Sequence, residues 1–461
     1  MKRKYIGDWS FYKKVLWIAV PIIIQNFVTN FVGLLDNIMV GQVGTDQMNS
    51  VAIVNQLLFV FNLCCWGAVS GAGIFTVQYY GKGDEEGVRN TFRAKLLLLF
   101  TVLCLGLLVF GFGGGLLIQQ FLHETDGIGN AAVTLAEGRK YLWIMMVGLI
   151  PFVLTQAYSN TLRDVGETVL PMRASVVAVM LNLLLNYILI FGNLGAPVLG
   201  VQGAAIATVI SRFVEAAIVI VYVHAHYLKF GFIQGAYKSL RIPLQLMKQI
   251  LIKGTPLAVN EALWAVGITM LNQCYSTRGL AVVGAFNISS TISNLFSVVY
   301  LALGESISII IGKLLGAGEM EKAKDEDRKM IAFSVACGIL VGGAMALLSS
   351  KFPGLYKTEP EVRALAAQFI LVASFMLPFY AFLHGSYFTL RTGGKTIITF
   401  LFDSVFVWVI AVPTAFVLTH FTRLPILPVY MIVCSTDFIK CIIGYVLVKK
   451  GVWVQNIVKE I

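Results

Sequence analysis

Twelve apolar stretches, each long enough to cross a lipid bilayer as a helix, follow one another along this chain of 461 residues. One crossing needs about 20 mostly apolar residues. Charged residues make up 13% of the chain, whereas a soluble domain carries about 25%. The stretches lie at 14–42, 51–80, 90–121, 133–162, 168–192, 201–228, 248–277, 282–314, 327–350, 361–391, 396–421 and 426–449. The sequence therefore predicts an all-α integral membrane protein with twelve transmembrane helices.

The distribution of basic residues orients these helices. With both termini on one side, the segments on that side hold 27 of the 35 Lys and Arg residues, those from Lys440 onward included, and the opposite loops hold 7. Arg212 is the one that remains inside a span. Cytoplasmic loops carry such an excess. We therefore expect a multi-pass protein of the inner (plasma) membrane with both termini cytoplasmic, surrounded by lipid, and the net charge of +11 does not indicate nucleic acid.

Several function classes lack their motifs. The seven cysteines show no metal-ligand spacing and do not imply disulfides. The chain has no phosphate-binding Gly-Lys-Ser/Thr loop, which argues against direct use of ATP. A polytopic membrane enzyme would need a paired acid, a histidine or a metal constellation at an interface, and none is evident. We expect a protein that is not an enzyme.

The two halves of the chain repeat each other. An offset of 235 residues aligns Pro21 with Pro256 and Gly81 with Gly316. An offset of 228 aligns the Leu-Arg-x-x-Gly segment at 162–166 with that at 390–394. These matches occur in the same order in both halves, which indicates an internal duplication.

The duplication predicts two pseudo-symmetric lobes of six helices. We expect an N-lobe at 1–228, a cytoplasmic linker at 229–247 and a C-lobe at 248–461. Six is an even number, so both copies have the same orientation, and their symmetry axis should run along the membrane normal with a cavity between the halves.

The first helix has one polar side. Counted at about 100° per residue, its polar residues and glycine share an arc of about 140°. They are Gln25, Asn26, Thr29, Asn30, Gly33, Asp36 and Asn37. An ionisable side chain inside a span is a functional candidate, so Asp36 is the leading one, with Gln25, Asn26, Thr29 and Asn37 as cavity-lining candidates. Alternatively, Asp36 lies about 33 Å beyond Lys14 and marks the far membrane boundary.

Polar residues of later spans extend this set. Asn182 and Asn186 are four apart and share a helix face, where they can bind a cation or water, or form interhelical hydrogen bonds. Glu261 is a second carboxylate, either in a cavity or as a structural charge. Glu305 is a further cavity candidate, and His384 either titrates near neutral pH or is a satisfied polar core residue.

Four motifs together resemble the multidrug and toxic compound extrusion (MATE) transporters. They are LLDNIMVGQVG after Pro21, a G-x-G-[DE] turn after the second helix, the Leu-Arg-x-x-Gly turn, and Asn182-x-x-x-Asn186-Tyr187 leading to GVQGAAIAT. The resemblance covers essentially the whole chain. It implies two six-helix lobes forming a V-shaped cavity, and export of organic, often cationic, compounds driven by H⁺ or Na⁺ without a further cofactor.

The resemblance also implies roles for individual residues. Asp36 matches a coupling carboxylate, and Asn182 and Thr208 match the cation site near it, so a Na⁺ ion at these three residues is one reading. Asn186 stands where some relatives have an aspartate, which removes a negative charge from such a site. Glu261 matches a seventh-helix glutamate of some relatives.

The tenth helix departs from those relatives. The aspartate that partners their glutamate has no obvious counterpart here, and His384 and Tyr387 occupy that region as further cavity candidates.

These observations predict a monomeric secondary active multidrug efflux transporter that exchanges small organic compounds for H⁺ or Na⁺ by alternating access. A flippase of lipid-linked saccharides is the nearest alternative, but it should line its cavity with several basic residues, and Arg212 alone lies inside a span. The sequence also leaves open a passive channel and, from a different class, a polytopic membrane enzyme.

Overall fold

The computed structural model describes residues 5–121, 131–239, 241–356 and 358–459. Within these ranges the chain is helical and has no strand, which confirms the all-α prediction. Its long helices are α1 Trp9–Gly41, α2 Thr45–Lys82, α3 Glu85–Gln119, α4 Ala131–Asp164, α5 Val169–Phe191, α6 Gly200–Ala225, α7 Leu244–Ser276, α8 Leu280–Gly316, α9 Met320–Leu348, α10 Pro360–Thr392, α11 Thr396–Phe421 and α12 Ile426–Lys450.

Almost all of the predicted spans have a matching helix. Over the described ranges, eleven of the twelve helices are long and apolar enough to cross a bilayer. The remaining one, α7, has 33 residues and is longer than the qualifying helix α5, which has 23. Asn260, Glu261 and Asn272 make it less apolar, and such residues are expensive in contact with lipid.

The helices group into two compact units. Unit 1 contains the described residues up to Ile23, then Val77–Asp84, and the described residues from Lys248 onward. Unit 2 contains Ile24–Thr76 and Glu85–Met247. The helices α1 and α2 thus contribute to both units, and the predicted lobe boundary at 229–247 stays a prediction.

One buried apolar cluster of unit 1 joins the first half of α1 to the segment after α12. Val15 and Ile22 of α1, Ile307 of α8 and Leu390 of α10 belong to it. Trp453, just after α12, joins this cluster and is almost fully buried. Burying an aromatic side chain stabilises by about 1.5–3 kcal/mol, so the segment after α12 is part of the packed structure.

The segment Val77–Asp84, which contains the end of α2, is fixed to the rest of unit 1 by Gln78. Its side-chain amide is fully buried. Nε2 donates to the carbonyl oxygens of Thr392 at 3.0 Å and Gln455 at 3.3 Å, and Oε1 accepts from the backbone N–H of Ile457 at 2.9 Å. Lys82 also donates to the carbonyl of Val458 at 3.2 Å.

In unit 2, the segment after α6 packs onto α3 and α4. Arg93 of α3 donates to the carbonyl oxygens of Gly235 and Ala236, both at 2.8 Å. The hydroxyl groups of Tyr158 and Tyr237 form a short hydrogen bond. The first half of the predicted linker is therefore held against the helices of unit 2.

Candidate functional site

Asp36 lies on α1 within unit 2 and is held by a buried amide of α5. Asn186 Nδ2 donates to Asp36 Oδ1 at 2.7 Å. The Asn186 side chain is 1% exposed, and its Oδ1 atom has no hydrogen-bond partner among the described residues. A buried amide oxygen without a partner is uncommon. The Asp36 carboxyl thus accepts a hydrogen bond from α5.

A chain of polar groups continues from Asp36 to α6. Asn182 and Asn186, one turn apart on α5, are linked by a contact of 3.2 Å between Asn182 Oδ1 and Asn186 Nδ2. Asn182 Nδ2 donates to Thr208 Oγ1 at 3.2 Å. The structure therefore brings together Asp36, Asn182, Asn186 and Thr208, the four residues that the sequence singled out for the N-lobe site.

The amide of Asn182 has two chemically different orientations. With Oδ1 toward Asp36, this atom lies 2.9 Å from Asp36 Oδ2, and two oxygens at that distance require a proton between them. With the amide turned over, Nδ2 donates to Asp36 Oδ2 at 2.9 Å and Oδ1 accepts from Thr208 Oγ1 at 3.2 Å. Oxygen and nitrogen of an amide are assigned from their partners, and the orientation with Nδ2 toward Asp36 is the one that satisfies both groups when Asp36 is ionised.

The other polar residues of α1 lie apart from this cluster. Gln25 Oε1 accepts from Arg163 of α4 at 2.7 Å, about 16 Å along the helix axis from Asp36. Asn26 is half-buried and Thr29 is exposed. The side chain of Asn37 lies outside the described residues, and the role of all four in a cavity stays a prediction.

A second polar cluster lies inside unit 1, where Glu261 was predicted. Asn260 Nδ2 donates to Asp403 Oδ2 of α11 at 3.2 Å and to the Tyr387 hydroxyl at 3.4 Å. Lys440 Nζ of α12 donates to Asp403 Oδ1 at 2.9 Å. Glu261 itself is half-buried beside the Tyr387 hydroxyl. The carboxylates of α7 and α11 thus act on each other, with Lys440 paired to Asp403 and Arg391 as the cation that acts on Glu261.

Lys440 corrects one part of the sequence analysis. It was counted with the basic residues that follow the last span, but it lies inside α12, ten residues before its end, and is 7% exposed. Arg212 is therefore not the one basic residue within the spans. The charge of Lys440 is compensated by Asp403, so it does not form the free basic lining that a pyrophosphate would need.

Asp403 lies in an unusual part of α11. Residues Leu401–Val405 and Val407–Ala411 form π-helical turns, which occur frequently at functional sites. Ser404 Oγ contacts Asn260 Oδ1 at 2.7 Å, and its backbone N–H donates to the same atom at 3.2 Å. The wide turns thus bring α11 against α7.

The remaining two candidates of unit 1 have different surroundings. His384 Nδ1 lies 3.0 Å from the carbonyl oxygen of Tyr380, and its ring packs on Tyr300. Both readings of His384 stay predictions. Glu305 is half-buried on α8, and its role in a cavity stays a prediction. No group of three or more His, Cys, Asp or Glu suited to a metal ion occurs in the described parts of the chain.

Comparison with known proteins places this geometry in context. The MatE family model matches residues 21–188 and 256–417, which correspond to the two repeats. The chain is 24% identical to the probable multidrug resistance protein NorM of Thermotoga maritima, over 97% of this chain and 94% of that protein. It is also 24% identical to the probable multidrug resistance protein YoeA of Bacillus subtilis, over 92% and 90%.

A solved structure shares the same fold. The bent form of the Vibrio cholerae MATE transporter VcmN superposes with a TM-score of 0.84 at 18% identity, covering 96% of this chain and 97% of that one. At this level of identity the likeness concerns the fold alone.

Proposed function

Because the chain belongs to the MatE family, we propose that it is an exporter of organic compounds that exchanges them for protons through Asp36. The family consists of transporters, so the protein is a multi-pass membrane transporter and not an enzyme. Following the distribution of basic residues, the proposal includes the plasma membrane as its location and cytoplasmic termini.

The contact between Asp36 and Asn186 carries this proposal. A carboxyl inside a helix bundle costs free energy when it is ionised, and the 2.7 Å hydrogen bond from Asn186 compensates for part of that cost. The ionised and the protonated form of Asp36 are therefore closer in free energy than they would be in an apolar site. Such balance is what a group needs if it is to bind and release a proton in each transport cycle.

The donors around Asp36 favour H⁺ over Na⁺. Hard metal cations select oxygen ligands. In either orientation of Asn182, Asn186 directs an N–H group to Asp36, and in one orientation Asn182 directs a second. Amide N–H groups stabilise a carboxylate directly but repel a metal ion placed beside it, so the cluster suits a carboxyl that gains and loses a proton.

Proton binding would be passed on through Asn182. When Asp36 is ionised, the amide of Asn182 turns Nδ2 to the carboxylate and Oδ1 to Thr208. When Asp36 is protonated, the carboxyl can donate to Oδ1 of Asn182, and Nδ2 turns to Thr208. The hydrogen bonds between α1, α5 and α6 therefore differ in the two states, and protonation can shift a conformational equilibrium.

Antiport follows if proton and cargo oppose each other. An ionised Asp36 attracts an organic cation, and protonation removes this attraction. Binding of either then weakens binding of the other by the same factor. We propose that the cargo is a lipophilic organic cation, in keeping with the names of the multidrug resistance relatives.

Dye efflux from reconstituted vesicles tests this function. We expect an imposed pH gradient to drive export of a fluorescent organic cation, and an imposed Na⁺ gradient alone to drive none. Asp36→Asn should abolish the response to the pH gradient, whereas Glu86→Gln, which changes an exposed acid at the start of α3, should leave it unchanged. Export by Asp36→Asn at the wild-type rate, or driven by Na⁺ alone, would overturn the proposal.

A further inference from the structure

Asp327 is an acid buried in unit 1, outside both clusters described above. It lies on α9, seven residues after the helix begins, and is 1% exposed. One turn further along α9, Ile331 packs at Gly385 of α10 together with Ile307 of α8. Ile307 and Ile331 belong to the apolar cluster of unit 1, so the carboxyl of Asp327 adjoins the apolar core.

The described hydrogen-bond partner of Asp327 is a neutral hydroxyl. Thr389 Oγ1 of α10 lies 2.6 Å from Asp327 Oδ1. The same oxygen lies 2.9 Å from the carbonyl oxygen of Gly385, and helical threonines commonly donate to that carbonyl. A hydroxyl has one proton. If Thr389 donates to Gly385, the proton between Thr389 and Asp327 must belong to Asp327.

No described cation forms an ion pair with Asp327. Arg328, its neighbour on α9, is the charged residue whose field acts on it. Arg391, two residues beyond Thr389 on α10, lies over the ring of Phe388. On α8, the ammonium group of Lys313 lies over the ring of Tyr80. A buried carboxylate without an ion-pair partner is strongly disfavoured, so Asp327 should carry a proton.

The equivalent site in the other repeat is built differently. An offset of 228 pairs Thr389 with Thr161 of α4. Thr161 contacts Lys95, a fully buried lysine of α3, at 3.2 Å, and Lys95 donates to Asp164 at 2.6 Å. The same threonine position thus contacts a buried ionisable group in both repeats, but Lys95 pairs with the carboxyl of Asp164, whereas no described cation pairs with Asp327.

We infer that Asp327 and Thr389 form a second proton-binding site, and that Asp327 releases its proton once in each transport cycle. The site lies about 10 Å from the start of α9, at the end of unit 1 where Lys14 pairs with Glu326. Ionisation of Asp327 transfers one proton from its carboxyl oxygen to water at that end, and Thr389 turns its hydroxyl from Gly385 to the carboxylate.

The proton count of transport tests this inference. The quantity measured is the ratio of substrate concentrations on the two sides of the membrane at steady state. For a gradient of one pH unit, each coupled proton raises the highest attainable ratio about tenfold. At zero membrane potential, we expect Asp327→Asn, which resembles the neutral acid in shape, to lower the steady-state substrate ratio about tenfold per pH unit. Asp325→Asn, in a half-exposed pair two residues earlier, should not change it. An unchanged ratio in Asp327→Asn would overturn the second site.

Infrared spectroscopy gives a second readout that does not depend on transport. In both the wild-type and the Asp36→Asn background, Asp327→Asn should remove one component of the carbonyl band that buried carboxylic acids give near neutral pH. A spectrum in which the band is unaffected by Asp327→Asn would contradict a proton on this residue. If Asp36→Asn leaves transport intact, the proposed function fails, and this band still decides the state of Asp327.

Discussion

Gly81 of α2 and Gly316 of α8 are equivalent in the sequence repeat, and each lies against the backbone of the other's helix. A Cβ atom on Gly81 would overlap the carbonyl oxygen of Lys313, and one on Gly316 would overlap that of Gln78. Gln78 and Lys313 are themselves 235 positions apart. Exchange of the two repeats therefore maps this contact onto itself, as in a twofold interface.

Because α2 and α8 approach so closely at Gly81 and Gly316, we expect Gly81→Ala to destabilise the protein. Alanine favours a helix by about 1 kcal/mol over glycine, but here its methyl group meets a backbone oxygen, and overpacking costs about 1–3 kcal/mol. We expect a lower unfolding temperature in detergent and slower export. Gly343→Ala is the control, because a Cβ atom there meets open space in the same unit. Equal unfolding temperatures for both variants would contradict a tight crossing.

Lys440→Met should be strongly destabilising. It leaves the half-buried Asp403 carboxylate without its cation, and the loss of one partner of a buried pair costs up to about 3–5 kcal/mol. The double variant Asp403→Asn/Lys440→Met should recover most of this loss, as a thermal unfolding cycle would show. Lys324→Met, in an exposed pair with Glu321, should change stability by less than about 1 kcal/mol. Additive effects of the two core substitutions would contradict the pairing.

Asn186→Asp should add a Na⁺ response. It places a second carboxylate next to Asp36, where Asn186 Nδ2 now lies 2.7 Å from Asp36 Oδ1. Two carboxylates so close cannot both be ionised without a cation between them. We expect an imposed Na⁺ gradient to drive dye efflux in this variant but not in Asn193→Asp, which changes an amide beyond the end of α5. Efflux without Na⁺ dependence in Asn186→Asp would argue against this assignment.

Gln78→Leu should loosen the segment after α12. The substitution keeps the size of the side chain but leaves the N–H group of Ile457 without its acceptor, which costs about 1–3 kcal/mol when the group stays buried. Hydrogen exchange at Ile457 should become faster. Gln455→Ala should have little effect, because Gln455 contributes a backbone carbonyl to this contact. Unchanged exchange in Gln78→Leu would show that the apolar packing of Trp453 alone holds the segment.

Part of this arrangement could be predicted because it is local. The apolar stretches define the helices, and helical spacing places Asn182 and Asn186 on one face. The resemblance then suggested Asp36 and Thr208 as their neighbours. Helical spacing shows which residues share a side of α1, but not which neighbours each of them meets along the helix axis. Gln25 lies on the same side of α1 as Asp36 but accepts a hydrogen bond from Arg163 of α4.

The buried charges of unit 1 could not be predicted in this way. Lys440 is followed by Lys449 and Lys450, so it resembles the basic end of a span. Asp327 lies in the charged segment EKAKDEDRK, which resembles a solvated loop. Both residues have partners from distant parts of the chain, Asp403 and Thr389, and no periodic pattern in the sequence reports such pairs.

The wide turns of α11 have a consequence for comparing this chain with its relatives. A π-helical turn accommodates an additional residue within a helix, and each residue of an α-helix rotates the following side chains by about 100°. Consider a relative that has a regular α-helix at this position. An alignment of the two sequences without a gap can match side-chain directions on one side of Phe406, but not on both sides. An aspartate of the relative at the aligned position would then face lipid or another helix. An aspartate that is aligned with Asp403 in sequence therefore need not occupy the same place in the structure.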